Sequence, residues 1–380
     1  MALETQSRAK LRELLDLIRE IDERRLGPEW GIQSEADLAD GHRALLHMLQ
    51  LALFSHFEAD PERPRFRRIV SPTRKIRGDN PDAIYFEAPV RGDREYVLRG
   101  NTAGAVYTSF TVEEGEGEGH YATGTASGLY DAQFDIDDDG NYEILVSPKP
   151  RPRNWLELSP RAARITTRHY FEEERYGAAD PERPIPLSIE PVIDPGPPPT
   201  WNDARVAAAT QRLINNLRSE TLLQPPRKPS EQPSWVSSVP NQFPKPEKPG
   251  DMAFAAMDIA YSMAPYLLGP DQALVMTGRF PRCRFANVCL WNRYLQTYDY
   301  AHRRVALNRV QTRLEPDGSF RMLLAHEDPG LPNWIDTEGR PFGMVYWRFL
   351  LPEGEIETPR AEVVPFASIS RARETGRAGR

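Results

Sequence analysis

The chain has 380 residues, enough for about two or three domains with sizeable cores. Apolar residues make up 39% and charged residues 27%, and the net charge of −7 excludes the basic surface typical of nucleic-acid-binding proteins. The N-terminus has no apolar signal core, and no stretch approaches the roughly 18 apolar residues of a membrane-spanning helix. We therefore expect a cytoplasmic protein that contacts neither nucleic acid nor membrane.

Residues 1–65 are expected to form an N-terminal helical segment. The first predicted helix, over residues 3–24, has an apolar face at three- and four-residue spacing that comprises Leu11, Leu14, Leu15, Ile18 and Ile21. The second, over about 35–58, begins at Ser34 as its N-cap and has a face comprising Leu38, Leu45, Leu46, Leu49, Leu53 and Phe54. The spacing of His42, His47 and His56 does not place them together on one face. They are interpreted as solvated or core-edge histidines, not metal ligands.

The densest polar stretch, residues 71–90, reads SPTRKIRGDNPDAIYFEAPV and ends in a strand-like run. Gly78 and Pro81 predict a defined turn before that run. Such a loop can present carboxylate, amide and ammonium groups together, as acid–base chemistry or polar ligand recognition requires. Alternatively, its Asp and Asn side chains cap their own backbone and its cations pair with them. Both interpretations remain open.

A first β unit is predicted over residues 66–180. Its Gly- and Glu-rich segment, residues 112–128, precedes no helix, so we predict a mobile loop or wide hairpin that can act as a lid, not a phosphate-binding loop. The segment Asp135–Gly140 resembles a calcium loop with carboxylates at Asp135, Asp137 and Asp139. However, Val146 stands where such a loop needs its last carboxylate, which favours a solvated acidic hairpin.

Residues 181–250 are predicted to be a Pro-rich connector laid over the surface, which accounts for much of the chain's 36 prolines. One helix is expected within it, over about 201–223, with Thr200 as its capping residue. The run at 251–268 is apolar nearly all round, which predicts a buried helix at the start of a second β unit, residues 251–366. The Arg-rich tail, residues 367–380, is predicted to be disordered.

The two β units are predicted to be copies of each other. Asp139-Gly140 and Asp317-Gly318 are 178 positions apart, and alternating apolar residues flank both pairs. Asp-Gly between alternating runs is a strong hairpin signal, so each copy is expected to be antiparallel β structure. The Asn-Trp pairs at 154–155 and 333–334, like Arg168 and Arg348, occur in both copies. A single active site seldom needs the same residues twice, so these are interpreted as structural, with Asn bonding loop backbone and Trp plugging a sandwich end.

The aromatic run at residues 284–300 is predicted to contribute either core packing or the wall of an apolar pocket. Cys283 and Cys289 are the only cysteines, which suits a reducing compartment and is too few for a structural zinc site.

Several of these phrases together resemble a bacterial family, the domain of unknown function 1214: GDNPDAIYFEAPV, DGNYEILVS with NWLEL, CLWNRYLQTYDY and PGLPNWIDTEGRPFG. The resemblance covers roughly residues 35–365. It implies a mainly β fold with helical additions: two duplicated antiparallel, jelly-roll-like β-sandwich units, N-terminal helices and a Pro-rich connector with one helix. It implies no settled reaction. Members often have His where this chain has Arg340, so a function of that His would be lost here.

The sequence contains no nucleophile elbow, zinc-protease motif or phosphate-binding loop, so any site is assembled from dispersed residues, with no metal and no cofactor expected. The first hypothesis is a cofactor-independent enzyme that acts on a largely apolar small molecule, such as a steroid, terpenoid or ester, bound between the helical cap and a β-sandwich. Asp79 would be the general base and Lys75 would stabilise negative charge. The remaining candidates are Asp82 and Tyr85 as catalytic groups and Arg74, Asn80, Trp291 and Tyr294 as substrate-binding groups.

The second hypothesis is a non-catalytic β-sandwich module that binds a ligand or carbohydrate through exposed tryptophans, Trp291 or Trp155. A site at the 71–90 loop is favoured because this loop has no counterpart 178 residues later. The sequence leaves the substrate and homo-oligomerisation open.

Overall fold

The computed structural model describes residues 3–32, 34–224, 227–250, 254 and 256–369. Within these residues, three α-helices accompany seventeen strands in four sheets. The helices are α1 (Gln6–Arg25), α2 (Glu35–Ala52) and α3 (Asp203–Glu220). The fold is therefore mainly β with helical additions, as predicted.

The first β unit is a sandwich of two sheets. Its inner sheet has the order β1-β2-β8-β4-β5 and its outer sheet the order β7-β6-β3-β9. The strands are β1 (Arg67–Arg68), β2 (Ala83–Pro89), β3 (Tyr96–Asn101), β4 (Tyr107–Glu114), β5 (Gly124–Tyr130), β6 (Asn141–Ser147), β7 (Trp155–Glu157), β8 (Ala162–Tyr170) and β9 (Leu187–Pro191). Apolar residues that alternate along these strands, such as Phe110, Ile144 and Ile165, fill the space between the sheets.

The second β unit repeats this topology. Its inner sheet has the order β10-β16-β12-β13 and its outer sheet the order β15-β14-β11-β17. The strands are β10 (Ile259–Leu267), β11 (Gln272–Gly278), β12 (Phe285–Trp291), β13 (Ala306–Asn308), β14 (Phe320–Ala325), β15 (Trp334–Asp336), β16 (Phe342–Leu350) and β17 (Arg360–Pro365). In each inner sheet the central strand, β8 or β16, pairs antiparallel with a strand on either side. In each outer sheet a short strand, β7 or β15, is added in parallel at one edge. The predicted duplication is confirmed.

The two inner sheets pack against each other through a third core. Aromatic side chains from both units meet there, among them Tyr85, Tyr170, Phe285 and Tyr346. The sheets are therefore stacked outer, inner, inner, outer, and both faces of each inner sheet are buried.

Contacts between the units are reciprocal. Arg348, on β16, donates to the carbonyls of Gly78 and Asp79 before β2. Arg168, the counterpart on β8, donates to the carbonyl of Phe254 before β10. Both guanidinium groups are buried. The interpretation of these arginines as structural agrees with these contacts, and each one ties its own unit to the other.

The Asn-Trp pairs also behave as predicted. Asn154 and Asn333 have positive φ angles, and each accepts a hydrogen bond from a loop N–H, those of Asp135 and Arg313. Trp155 Nε1 donates to the Ser147 carbonyl at 2.9 Å, and Trp334 Nε1 donates to that of Ala325 at 3.1 Å. The pairs close the same corner of both sandwiches.

The predicted helix over 251–268 is wrong. Residues 259–267 form β10, and residues 251–253 and 255 lie outside the described part of the chain. An inner strand between two cores is apolar on both faces, so its sequence lacks the alternation that marks a half-buried strand.

The predicted hairpins are correct only in their turns. Gly140 and Gly318 have the positive φ that these turns require. However, the runs before them, 132–137 and 310–315, are not strands, apart from one isolated bridge between Leu314 and Phe320. The Asp137 carboxylate accepts hydrogen bonds from the N–H groups of Asp139 and Asn141, so side-chain capping replaces a strand pair.

The helices fold over one end of the molecule, where α1, α2 and α3 share an apolar core. Ser34 caps α2 as predicted, whereas Asn202, not Thr200, caps α3. The predicted apolar faces are partly wrong: Leu11, Leu15 and Leu46 are exposed.

At the C-terminal end, residues 366–369 form a helical turn with Ile369 buried, and the remaining predicted tail lies outside the described residues. No helix in the described part is long and apolar enough to span a membrane.

Candidate functional site

The predicted general base and its cation lie in the contact between the two units. Asp79 and Lys75 are fully buried. The Asp79 carboxylate accepts hydrogen bonds from Thr297 N at 2.8 Å and from Thr297 Oγ1 at 2.5 Å. Lys75 Nζ donates to the carbonyls of Thr297 and Tyr298 and lies 4.4 Å from the centre of the Tyr300 ring. Both groups are therefore bonded to the segment between β12 and β13.

Asn80 and Asp82 are bonded to the second unit as well. The Asn287 amide donates to Asn80 Oδ1 at 2.7 Å and to Asp82 Oδ2 at 2.8 Å. The Asn308 amide donates to Asp82 Oδ1 at 3.0 Å. These four side chains form a polar cluster with no exposed surface.

Burial dominates the electrostatics of this region. It lowers the pKa of Lys75 to about 8 and raises that of Asp82 to about 7. Burial also raises the pKa of Asp79, although the neighbouring Lys75 ammonium opposes this change. Shifted pKa values are common at active sites, but they also mark structural networks such as this one.

The other predicted residues have separate positions. Tyr85 lies in the core between the inner sheets, where burial raises its pKa well above the usual value. Trp291 is buried, stacks on Tyr346 and donates to the Asp79 carbonyl, so it presents no open binding face. Arg74 donates to the Ile69 and Arg68 carbonyls. Tyr294 donates to the Asp37 carbonyl on α2.

The structure thus brings Lys75, Asp79 and Trp291 together, and separately Asn80 and Asp82. None of these five residues lines the cleft described below. The side chains of Lys75, Asp79, Asn80 and Asp82 are bonded to residues of the second unit, more than 200 positions away. The proposed self-capping of the loop therefore describes only one of their bonds, from Asp82 N to Asn80 Oδ1. The arrangement is suited to joining the units.

Arg340 and the acidic loop also have structural partners. Arg340 forms ion pairs with Asp40 on α2 and with Glu338, so it ties the helical cap to the second unit. Asp135 pairs with Arg153. Among the described residues, no group of three or more His, Cys, Asp or Glu side chains has the arrangement of a metal site.

A cavity of about 500 Å³ lies between the helical cap and the first sandwich. We call it the cleft. Its floor comprises Ser55 and His56 in the π-helical turn Leu53–Phe57 that follows α2, Arg67 on β1 and Glu87 on β2. Its walls comprise the β4–β5 hairpin tip at residues 115–119, the start of β8 with the two residues before it (160–164), and Arg212 on α3. The sequence analysis predicted a pocket between the helical cap and a β-sandwich, but it assigned other residues to that pocket.

The cleft walls are held by direct contacts with α3. Arg212 donates to the carbonyls of His56 and Phe57, which end the cap helix. Asn215 donates to the Glu118 carbonyl at the hairpin tip. A side-chain carbon at Gly119 would lie only 2.2 Å from the Arg212 carbonyl oxygen, so glycine is required for this approach. Of the two structures predicted for this segment, a mobile loop or a wide hairpin, the hairpin is correct, and its tip is packed on α3.

Two charged groups of the cleft are buried and paired: Arg164 and Glu87 form an ion pair at 3.3 Å. Burial alone would raise the pKa of Glu87, but the Arg164 guanidinium outweighs it, so the pKa is lowered and the carboxylate is ionised at neutral pH. Burial lowers the pKa of His56 to about 3, which keeps the imidazole neutral.

Three polar groups of the floor have unused hydrogen-bonding capacity. Ser55 Oγ is enclosed near Glu87 but has no hydrogen bond of normal geometry. The His56 imidazole has no hydrogen-bond partner within the described residues. Arg67 packs on the Phe54 ring, and its guanidinium has neither a hydrogen bond nor an ion pair in that part of the chain. Ser55 and His56 are buried and Arg67 is half-buried. Buried polar groups are normally paired, so free capacity concentrated beside open volume is typical of a binding site.

Sequence reasoning missed these residues because their signal is weak. Ser55 and His56 follow the apolar face of a helix, and Arg67 is one of several arginines before β2. His56 does lie at the edge of a core, as one of the two interpretations predicted. Only the cross-strand pairing of Arg67 with Glu87 brings the groups together, and a sequence does not specify that register.

Together these features define a class: a duplicated β-sandwich protein with a helical cap over a polar cleft. Residues 86–174 match the model of the family described as protein of unknown function (DUF1214), which confirms the family resemblance. The chain is also similar to the crystal structure of an uncharacterized protein from Burkholderia cenocepacia. The identity is 27%, the TM-score is 0.80, and 94% of this chain and 97% of that chain are covered.

The VPA0106 protein from Vibrio parahaemolyticus matches more distantly, with 11% identity and a TM-score of 0.47 over 86% of this chain and 98% of that chain. No curated protein matches the chain.

Proposed function

We propose that the chain binds a small molecule in the cleft and that this molecule carries an anionic group. The observation that supports the proposal is the unpaired Arg67 guanidinium beside the unpartnered His56 imidazole. A guanidinium presents a fork of donors that suits a carboxylate or phosphate. The neutral imidazole then orients the rest of the molecule.

The lining favours a polar or mixed ligand over the largely apolar one expected from the sequence. Most of the floor groups are charged or hydrogen-bonding, and the apolar surface comes from short stretches such as Ala88–Val90. The carbohydrate-binding alternative required exposed tryptophan faces. Trp291 is buried and Trp155 is only partly exposed, so this alternative has less support.

An enzyme that uses the same cleft is the second candidate. An ionised carboxylate, Glu87, and a neutral imidazole, His56, share its floor, and both can accept a hydrogen bond from the reacting group of a bound molecule. This candidate predicts that His56→Gln removes turnover of an identified ligand while its binding changes little. Unchanged turnover in this variant would leave only the binding function.

We also propose that this is a bacterial, cytoplasmic protein. Support comes from the two free thiols of Cys283 and Cys289 and from the bacterial source of the similar structures.

The binding proposal is tested by a thermal-shift screen of carboxylates and organic phosphates, each beside its neutral amide or alcohol, followed by calorimetric titration of the hits. Anionic compounds should raise the melting temperature and their neutral analogues should not. Arg67→Ala should weaken binding tenfold or more, because a charge-assisted hydrogen bond contributes about 1.5–3 kcal/mol.

The matched control is Arg65→Ala. Arg65 is exposed, lies two positions from Arg67 and does not line the cleft. Loss of binding in both variants would indicate a general charge effect, and unchanged binding in Arg67→Ala would contradict the proposed anchor.

A further inference from the structure

The exposed apolar side chains of the molecule are concentrated on its helical cap. Seven of the seventeen large apolar residues that are exposed in the described part of the chain lie within the first 54 residues. Four of them are leucines on α1, on α2 and on the turn after α2, each 46–63% exposed: Leu11, Leu15, Leu46 and Leu53. A cluster of this kind on a globular protein marks a surface that another molecule covers.

These leucines belong to two stripes that lie side by side. A spacing of four, three and four residues places four side chains on one face of α1: Leu11, Leu15, Ile18 and Asp22. The same spacing relates four side chains of α2 and the turn after it: His42, Leu46, Leu49 and Leu53. Asp22 Oδ1 and His42 Nε2 are 2.8 Å apart, so the two stripes are neighbours. We call their apolar residues the cap face.

The cap face has the size that a stable interface needs. Helix α1 has 20 residues and is therefore about 30 Å long, and two helices side by side are about 20 Å wide. The face therefore measures roughly 600 Å². Each partner in a stable complex buries roughly 600–1,000 Å².

The charges of α1 match a second copy of the same helix in antiparallel orientation. Residues 6–14 carry three cations and one carboxylate, a net charge of +2, whereas residues 15–25 carry four carboxylates and three arginines, a net charge of −1. An antiparallel pair places each half against the oppositely charged half of the other helix. It also brings the positive end of each helix dipole next to the negative end of the other.

A membrane surface is the other partner that an exposed apolar face of this kind could contact. Helices that lie on membranes have polar faces rich in Lys and Arg. Together α1 and α2 carry seven cations and eight carboxylates, and the whole chain has a net charge of −7. The charge balance therefore favours another copy of the chain over a lipid headgroup surface.

We propose that the chain forms a twofold-symmetric dimer through the cap face, with α1 of one copy antiparallel to α1 of the other. Leu11 and Leu15 lie near the middle of α1, so each would pack close to the other's equivalent across the twofold axis. The stripe on α2 would extend this contact. The proposal does not depend on the cleft.

Dimerisation would also brace the cleft, a consequence that rests on the proposed function. Leu53, in the cap face, begins the π-helical turn that holds Ser55 and His56 in the cleft floor. A partner copy packed on Leu53 would restrain that turn.

The experiment is sedimentation velocity of the full chain over a wide range of protein concentration. We expect a reversible monomer–dimer equilibrium. Leu11→Glu/Leu15→Glu should raise its dissociation constant about tenfold or more, because a carboxylate in an apolar contact loses its hydration. Both leucines are about half exposed, so the variant should retain the wild-type circular dichroism spectrum. The matched control is Leu267→Glu, since Leu267 is 53% exposed but lies on β10, and it should dimerise as the wild type does.

A charge-reversed variant tests the antiparallel orientation. Arg8→Glu/Arg12→Glu removes the positive charge of the first half of α1 and should weaken dimerisation several-fold, more at low salt than at high salt. Arg67→Ala, in the cleft, should leave dimerisation unchanged, so the two proposals can fail separately.

Two results would overturn the dimer. One is a chain that stays monomeric at every concentration, and the other is a folded Leu11→Glu/Leu15→Glu variant that dimerises with wild-type affinity. Cosedimentation of a monomeric chain with vesicles of phosphatidylcholine and phosphatidylglycerol would also overturn it and assign the cap face to a membrane.

Discussion

The two β units share one topology, but the segment that follows the second long strand of the inner sheet has a different role in each. This strand is β4 in the first unit and β12 in the second. In the first unit, β4 and β5 form a long hairpin whose glycine-rich tip walls the cleft. In the second, the connection from β12 to β13 folds inward and seals Lys75 and Asp79 through the Thr297 and Tyr298 backbone. One copy therefore keeps a cavity where the other has a closed contact.

The comparison shows that a polar sequence segment does not by itself mark a binding site. The GDNPD segment, residues 78–82, is strongly polar, yet it is used to join the units. The cleft residues are spread over a helix end and two strands and have free hydrogen-bonding capacity. Unmet capacity next to open volume is the better criterion.

The largest expected effect comes from breaking the buried contact between Asp79 and Thr297 of the second unit. Asp79→Ala removes the acceptor of the Thr297 N–H and hydroxyl and leaves the buried Lys75 ammonium without its neighbouring carboxylate. The free energy of unfolding, measured in urea, should fall by about 3–5 kcal/mol. Met257 stands 178 positions after Asp79 and is exposed, so Met257→Ala should change it by less than about 0.5 kcal/mol. Equal losses would refute the asymmetry.

A smaller effect compares the two corner asparagines. Asn333 is buried and makes three hydrogen bonds, to Arg313 N, Arg313 O and Arg321 O, whereas Asn154 makes one, to Asp135 N. Glycine retains the positive φ at both positions, so a change to glycine isolates the side-chain bonds. Asn333→Gly should cost about 2–3 kcal/mol of unfolding free energy and Asn154→Gly about 1 kcal/mol. The reverse order in urea unfolding would contradict this account.

The smallest expected effect is on the pH dependence of the unfolding free energy. It compares His169 on β8 with Phe349, the residue at the equivalent position on β16. Burial lowers the pKa of His169 from 6.5 to about 3. Between these values the unfolded chain binds more protons, so stability is complete above pH 6.5 and falls as the pH decreases. From pH 7 to pH 5, the wild type should lose up to about 2 kcal/mol more than His169→Gln.

Phe349→Leu, which introduces no titrating group, should retain the wild-type pH dependence. Urea unfolding at both pH values measures the difference. Parallel pH profiles for wild type and His169→Gln would show that the pKa of His169 is the same in the folded and the unfolded chain, which would contradict this account.

The duplication, the strands of both sandwiches and the corner Asn-Trp pairs could be predicted because they depend on local pattern and repetition. Strand β10 could not, because burial between two cores removes its alternation. The strands predicted before the Asp-Gly turns were wrong for another reason. Asp137 satisfies the local backbone with its own side chain, and alternation alone does not reveal this.

The cleft was less predictable than the fold. The position between helical cap and sandwich follows from the layer order, but its residues do not. Arg67 faces Glu87 only through the register of β1 with β2, and the hairpin tip reaches α3 from about 100 positions away. Charged residues such as Lys75 and Asp79 are normally exposed, so their burial could not be inferred without their partners in the second unit.

The exchange of arginine contacts between the units has a consequence for folding. Arg168 depends on a carbonyl of the second unit and Arg348 on carbonyls of the first. Separation would remove these carbonyls and leave each cation with one acceptor from its own unit, Thr111 Oγ1 for Arg168 and Cys289 Sγ for Arg348. The repeat is therefore a unit of sequence and topology but not of stability. The two sandwiches are expected to unfold together, so the cooperative unit includes both copies of the duplicated sequence.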